Sequence, residues 1–222
     1  MSQYLESIQI DSAPNPTVAI IWMHGLGADG NDFAAMPQEL DLRGLPAIRF
    51  VFPHAETMPV TINNGYVMRS WYDISNADLT RREDEGGLRA SQRQVEALIA
   101  REKERGIPAE RIILAGFSQG CAMAYQTGLR HPEKLAGLMC LSGYVPIATT
   151  VAAERSAANQ ATPIFIAHGR HDGVVPVARA EASRDLLVSL GYQVEWHEYP
   201  MQHSLCLEEI NDISAWLRKV LV

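Results

Sequence analysis

The 222-residue chain has little of several things that mark particular protein classes. It holds three cysteines, Cys121, Cys140 and Cys206, an odd number with no C-x-x-C spacing. That count excludes a disulfide framework and the common zinc and redox spacings, and it points to reduced, buried thiols in a reducing compartment. Positive charge is not in excess. The 19 Lys and Arg stand against 26 Asp and Glu, a formal net charge of −7. Nucleic-acid binding needs clustered cations to meet phosphates, so no nucleic-acid partner is expected. No basic amphipathic stretch offers itself to a membrane surface. The apolar runs are too short to span a bilayer, and "MSQYLESIQIDSAPNP" lacks the basic start and apolar core of a signal peptide. The expected location is cytoplasmic, and an integral membrane protein is not expected. There is no internal repeat, low-complexity tract or linker, so residues 1–222 are expected to form one domain. What is present, 47% hydrophobic and 20% charged residues, is the balance of a globular chain long enough to bury a core without disulfides or metals.

Short apolar runs recur along the chain. "TVAIIWMHG", "AIRFVFP", "RIILAGF", "LAGLMCLSG" and "TPIFIAHG" read as buried strands, and "QVEWHEYP", which alternates more, reads as a strand nearer a sheet edge. Helical patterns lie between them. In "GLRASQRQVEALIAREKERG" Leu88, Val95, Leu98 and Ile99 share a face, with Gly106 and Pro108 as stop signals. "QGCAMAYQTGLRHP", "ARAEASRDLLVSLG" and "LEEINDISAWLRKVLV" follow, the last with Ile210, Ile213, Trp216, Leu217 and Val220 at helical spacing. Strands without alternation, separated by helices, predict an α/β fold with a mostly parallel, doubly wound sheet covered on both faces. One long connection, "PHAETMPVTINNGYVMRSWYDISNADLTRREDEGG", breaks the rhythm, with a short strand expected around "YVMRSW". Long loops in compact domains are often functional, though an irregular packed excursion reads equally well.

"GFSQG", Gly116 to Gly120, places a serine between two glycines, after a strand and before a helix. A nucleophile on a sharp strand-to-helix turn needs small residues two positions away on either side, because side chains there would collide. The serine itself sits in strained backbone that pushes its oxygen into the open. The alternative is a serine that merely caps the following helix. A hydroxyl at neutral pH needs a base, and the base needs an orienting carboxylate. For this motif the chain order is Ser, then Asp or Glu, then His. Asp172 in "HGRHDGVVP" follows a strand directly, whereas Asp185 and Asp212 fall inside predicted helices. The alternative for Asp172 is a turn aspartate bonded to its own backbone. His203 in "YPMQHSL" is the histidine after Asp172 on a strand-to-helix loop. His197 falls in a strand, and His24, His54, His131, His168 and His171 precede Asp172. Two histidines three apart in "HGRHD", without a third ligand, are a weak metal signal, and no metal or cofactor is expected.

Attack on a carbonyl also needs donors for the oxyanion. One is expected from the backbone N–H of Gln119, at the positive end of the following helix. The other is expected from the glycine-rich "HGLGADG" after the first strand, at the N–H of Leu26. That loop lacks the Lys-Ser or Lys-Thr of a phosphate cradle.

With "FPHAETMPVTINNGYVMRSWYDI" added, these motifs resemble the carboxylesterase and acyl-protein thioesterase family of small α/β-hydrolases from about residue 17 to residue 217. The P-V-T-x-N-x-G stretch followed by S-W-[FY]-D-I is the most specific part. The resemblance implies an α/β-hydrolase fold with nucleophile Ser118, acid Asp172, base His203 and oxyanion donors Leu26 and Gln119. It implies a pocket wall including Trp71, Leu79 and Val175, with plain core packing the alternative for Trp71. It implies cofactor-free hydrolysis of acyl esters or thioesters, on a small substrate, an acylated protein or a lysophospholipid, and a homodimer. Carboxylesterase is the leading expectation, with acyl-protein thioesterase or lysophospholipase as alternatives and an inactive binding module as a remote one. Cys121 replaces a common glycine after GFSQG, and Met201 and Gln202 replace the glycines usual before the histidine. The short segment between "LSGYVP" and "TPIFIAHG" predicts no large cap and an open site.

Overall fold

The computed structural model describes residues 4–75 and 83–222. The expected apolar runs form strands β2 (Val18–Met23), β3 (Ile48–Pro53), β6 (Ile112–Phe117), β7 (Gly137–Leu141), β8 (Ile164–Gly169) and β9 (Val194–Tyr199). With β1 (Ser7–Asp11) they lie in one seven-stranded sheet of order β1-β3-β2-β6-β7-β8-β9. All neighbours are parallel except β1, which runs antiparallel to β3 on the outer edge. β9 is the other edge, as its alternation suggests. β1 was not expected: "SIQID" has only two apolar residues, and its place rests on the ladder it makes with β3. The long connection contributes a separate hairpin of β4 (Thr57–Val60) and β5 (Tyr66–Arg69).

Every residue of β2 is buried, and its side chains alternate between two cores. Ala19, Ile21 and Met23 face the layer holding α2 (Glu85–Glu104), α3 (Gln119–Gly128) and α5 (Val177–Ser189). Val18, Ile20 and Trp22 face the layer holding α1 (Met36–Glu39) and α6 (Leu207–Leu221). α2 buries Leu88, Val95, Leu98 and Ile99. Asp84 caps it by accepting from Gly87 N–H at 2.9 Å, and Gly106 leaves it with φ +92°. A parallel sheet with both faces covered explains why its strands carry no polar alternation. Between β7 and β8 stand α4 (Ala148–Glu154) and one 3₁₀ turn, and no cap is built there. Cys121 and Cys140 are buried as expected, but Cys206, just before α6, is partly exposed.

α6 carries one residue that its amphipathic pattern does not announce. Glu209, in the first turn, is wholly buried. Burial, with Asp212 nearby, pushes its carboxyl from an ordinary 4.5 up to about 8, against the pull of the Cys206 N–H. A carboxyl with a raised native pKa holds a proton that the unfolded chain has lost. Its contribution to stability is therefore full below about pH 4.5 and is lost as pH rises to about 8. Melting curves of wild type and Glu209→Gln between pH 5 and 9 test this. The fall in Tm across that range should shrink by about 5 °C or more in the variant, and parallel curves would refute it.

Candidate active site

The loops at the carboxyl ends of the parallel strands β2, β6, β8 and β9 come together at one end of the sheet. Ser118 follows β6 with φ +57° and ψ −116°, a left-handed backbone disfavoured for a side chain. Although it stands at the N-cap of α3, its hydroxyl makes no cap bond. The glycines explain how the turn closes. A Cβ on Gly116 would lie 2.1 Å from Gly120 O, and one on Gly120 would lie 2.2 Å from Met23 O. Strand, helix and the neighbouring loop meet backbone to backbone at this point.

The Ser118 hydroxyl lies 2.9 Å from His203 Nε2, and His203 Nδ1 lies 2.6 Å from Asp172 Oδ2. The carboxylate must accept, so Nδ1 carries the imidazole proton and Nε2 is left to accept from the serine. Asp172 is buried and uses both oxygens. Oδ1 accepts from the N–H groups of Val174 and Val175, each at 2.8 Å. The turn bonds and the contact with His203 therefore coexist: one oxygen makes the turn and the other meets the histidine. His168 Nε2 donates to Val175 O at 2.8 Å and stands 3.4 Å from Asp172 Oδ2. Burial lowers the His168 pKa and keeps it neutral. His171 is exposed, and among the described residues no cluster of three or more His, Cys, Asp or Glu is placed to hold a metal ion. Asp185 pairs with Arg184, and Asp212 accepts from Tyr199 Oη at 2.8 Å, so neither belongs to this chain of bonds.

The loop bearing His203 crosses Gly169, where a Cβ would meet Gln202 O at 2.3 Å and Met201 O at 2.5 Å. His171 N–H donates to Met201 O at 3.0 Å. Met201 and Gln202 therefore act here through their carbonyls, and the glycine that this packing requires is Gly169. The His203 ring rests on Phe117, with centroids 4.7 Å apart.

Leu26 lines the same pocket as Ser118 and Gln119. Among the described residues neither the Leu26 N–H nor the Gln119 N–H has an acceptor, so neither is committed to a bond within the fold. His24 braces this loop. Its Nε2 accepts from Ala55 N–H at 3.1 Å, which leaves the proton on Nδ1, 2.6 Å from Gly25 O. Burial lowers its pKa, so that tautomer is neutral. The Gln119 side chain ties the long connection to the turn. Its Oε1 accepts from Trp71 N–H at 2.9 Å, and its Nε2 donates to Tyr72 O at 2.7 Å.

Beside Ser118 opens a mostly apolar cavity of about 270 Å³, walled by Leu26, Ile62, Tyr72, Ile74, Tyr144 and Val175. Trp71 is not in this wall. It is 2% exposed, and its indole N–H donates to His24 O at 2.9 Å, so it packs beneath the loop of Leu26. Tyr72, one position on, faces the cavity instead. Leu79 lies outside the described residues. Sequence reasoning missed Tyr72 and Tyr144. The signal for Tyr144 was its place in "LSGYVP", on the loop at the carboxyl end of a parallel strand.

A serine with a histidine acceptor, a carboxylate behind it, two open N–H groups and an apolar cavity is an arrangement that can carry out acyl transfer. Likeness to known proteins agrees. The profile of the Phospholipase/Carboxylesterase family matches residues 6–221. The chain is 38% identical over 218 residues to acyl-protein thioesterase 1 of Yarrowia lipolytica, covering 96% of each chain. It is 41% identical over 214 residues to the Neurospora crassa protein of the same name, covering 92% of this chain and 87% of the other. Among solved structures, Arabidopsis thaliana SOBER1 superposes with TM-score 0.87 at 30% identity, over 92% of this chain and 99% of that one. Zea mays acyl-protein thioesterase 2 superposes with TM-score 0.84 at 26% identity, over 99% and 100%. The sheet order, the serine turn and these full-length likenesses agree: the chain belongs to the phospholipase/carboxylesterase family of α/β-hydrolases.

Proposed function

We propose that the protein hydrolyses acyl thioesters, with Ser118 as nucleophile, His203 as base and Asp172 as the group that orients it. The observation that carries this reading is the continuous bond path from Ser118 Oγ through His203 to Asp172 at the mouth of an apolar cavity. Ser118 Oγ attacks the acyl carbonyl while His203 Nε2 takes its proton. The Leu26 and Gln119 N–H groups hold the oxyanion. As the tetrahedral centre collapses, the C–S bond breaks and the thiolate takes the proton from His203. Water, giving its proton to His203, then attacks the Ser118 ester. Collapse of the second tetrahedral centre releases the acid and returns the proton to Ser118. No step calls for a metal or cofactor.

Relatives named acyl-protein thioesterase favour a thioester over an oxygen ester as substrate. This reorders the expectation from sequence, which put carboxylesterase first. Oxygen-ester hydrolysis stays as the second reading, because the family name includes carboxylesterase and phospholipase and the same groups serve both leaving atoms. An acylated protein fits an open site with no cap between β7 and β8. Among the described residues no helix is long and apolar enough to cross a membrane.

Matched substrates with one acyl chain and either a sulfur or an oxygen leaving atom decide between the readings. The thioester should show the higher kcat/KM, by about tenfold or more after correction for the uncatalysed rates. Equal or reversed corrected rates would return the protein to the oxygen-ester reading. Loss of both would refute hydrolysis at this site.

A further inference from the structure

The cavity beside Ser118 has a neighbour that the proposed reaction does not use. A second cavity of about 300 Å³ lies between the loop after β7, α4 and α5. Val145, Ala148, Ala178, Ala182 and Leu186 supply most of its lining, with Arg179 and Ser183 at its polar side. The apolar part of such a lining accepts an alkyl chain. Among the described residues Tyr144 is the one side chain that borders both cavities.

Tyr144 is held in place from two sides. Its hydroxyl meets that of Tyr72 at 3.4 Å, toward the Ser118 cavity. The Arg179 guanidinium lies 3.7 Å from its ring centroid, toward the second cavity. A cation over the face of an aromatic ring resists its rotation. The backbone is fixed as well, since Val145 N–H donates to Ser183 Oγ of α5 at 2.9 Å. The ring is 5% exposed, so it fills the boundary between the two spaces rather than lying over either of them.

We infer that Tyr144 is a specificity-determining residue whose ring closes the acyl cavity and sets the longest acyl chain the enzyme handles well. The inference rests on the acyl-hydrolase reading above. An acyl chain lying from Ser118 along the first cavity ends against the Tyr144 ring. Without the ring, the chain can continue among Ala148, Ala178 and Ala182. Carbons that find no apolar wall contribute little to transition-state binding, whereas those that do contribute several-fold or more.

The test is kcat/KM over a straight-chain acyl series from butanoyl to hexadecanoyl, on one leaving group, for wild type, Tyr144→Ala and Tyr144→Ala/Ala182→Phe. Tyr144→Ala should raise the ratio of dodecanoyl to butanoyl kcat/KM by about tenfold or more and move the optimum to longer chains. The added Ala182→Phe should bring the ratio back, because it refills the second cavity. If Tyr144→Ala does not fold, Tyr144→Leu with and without Ala182→Phe reads the same ratio. A folded variant with the wild-type ratio, or with an even loss at every chain length, would overturn the inference. A raised ratio that Ala182→Phe leaves in place would also overturn it. Failure of the underlying reading looks different: wild type would be inert to the whole series and unlabelled at Ser118 by a serine-reactive phosphonate.

Discussion

Ser118→Ala should fold as wild type and lose acyl-hydrolase activity by roughly 10⁴- to 10⁶-fold, the scale seen when a serine hydrolase loses its nucleophile. The hydroxyl bonds His203 Nε2 and caps no helix N–H, so its removal breaks no bond that holds the fold. The strained φ of +57° is carried equally by alanine. The variant's Tm should therefore lie within about 2 °C of wild type, a shift corresponding to about 1 kcal/mol or less. Single-turnover release of the acid, with calorimetry alongside, measures both effects. Activity within tenfold of wild type in a folded variant would remove Ser118 as nucleophile. A large loss of Tm would mean that the hydroxyl had a structural task.

Gly120→Ala should act on the other half of the same turn, through stability. Its Cβ would lie 2.2 Å from Met23 O, 2.5 Å from Met23 C and 2.7 Å from His24 O. These are backbone atoms of β2 and the loop it feeds, and they cannot swing away as a side-chain tip can. α3 would have to lift from the sheet, carrying the Gln119 N–H away from the Leu26 N–H. Overpacking of a rigid site costs about 1–3 kcal/mol and sometimes more, and we expect about 3 kcal/mol or greater here. On the proposed mechanism, activity should fall by a further factor in whatever fraction stays folded, because the two N–H groups assigned to the oxyanion would be moved apart. Gly86→Ala is the matched control. Gly86 lies in the first turn of α2 with a nearest contact of 3.6 Å, so alanine should be neutral or stabilise by about 0.5–1 kcal/mol. Urea unfolding of the pair checks the contrast. Equal stability of Gly120→Ala and Gly86→Ala would show that the turn can relax, and the steric account of the serine turn would fail.

Much of this was legible along the chain. The buried strands announced themselves as apolar runs of about five residues, because a parallel sheet covered on both faces leaves no position for polar alternation. The candidate Ser, Asp and His could be picked because each stands just after a strand among turn residues and because the order along the chain is the one this serine motif uses. Gly116 and Gly120 were legible because close backbone approach has a one-residue signature, the missing side chain. The helix over "GLRASQRQVEALIAREKERG" began two residues earlier than its apolar spacing suggests, because Asp84 supplies the cap. The strand "SIQID" was missed because an edge strand held by its ladder needs few apolar residues.

The pocket was not legible in the same way. Trp71 and Tyr72 are neighbours, and nothing local says which one enters the core. The choice comes from Gln119, forty-eight residues from Trp71, whose amide accepts from the Trp71 N–H and donates to Tyr72 O. Tyr144 becomes a wall only because Tyr72 and Arg179, from two different segments, meet its ring and hydroxyl. Glu209 reads as an ordinary helix-start acid and is buried by packing beyond its own helix. The sequence by itself determined the strands, the sharp serine turn and the order of the groups along the chain, because periodicity and backbone sterics act over a few residues. Only the tertiary structure decided which side chains wall the cavity, where the cavity ends and which acid loses its water, because those depend on contacts between segments tens of residues apart.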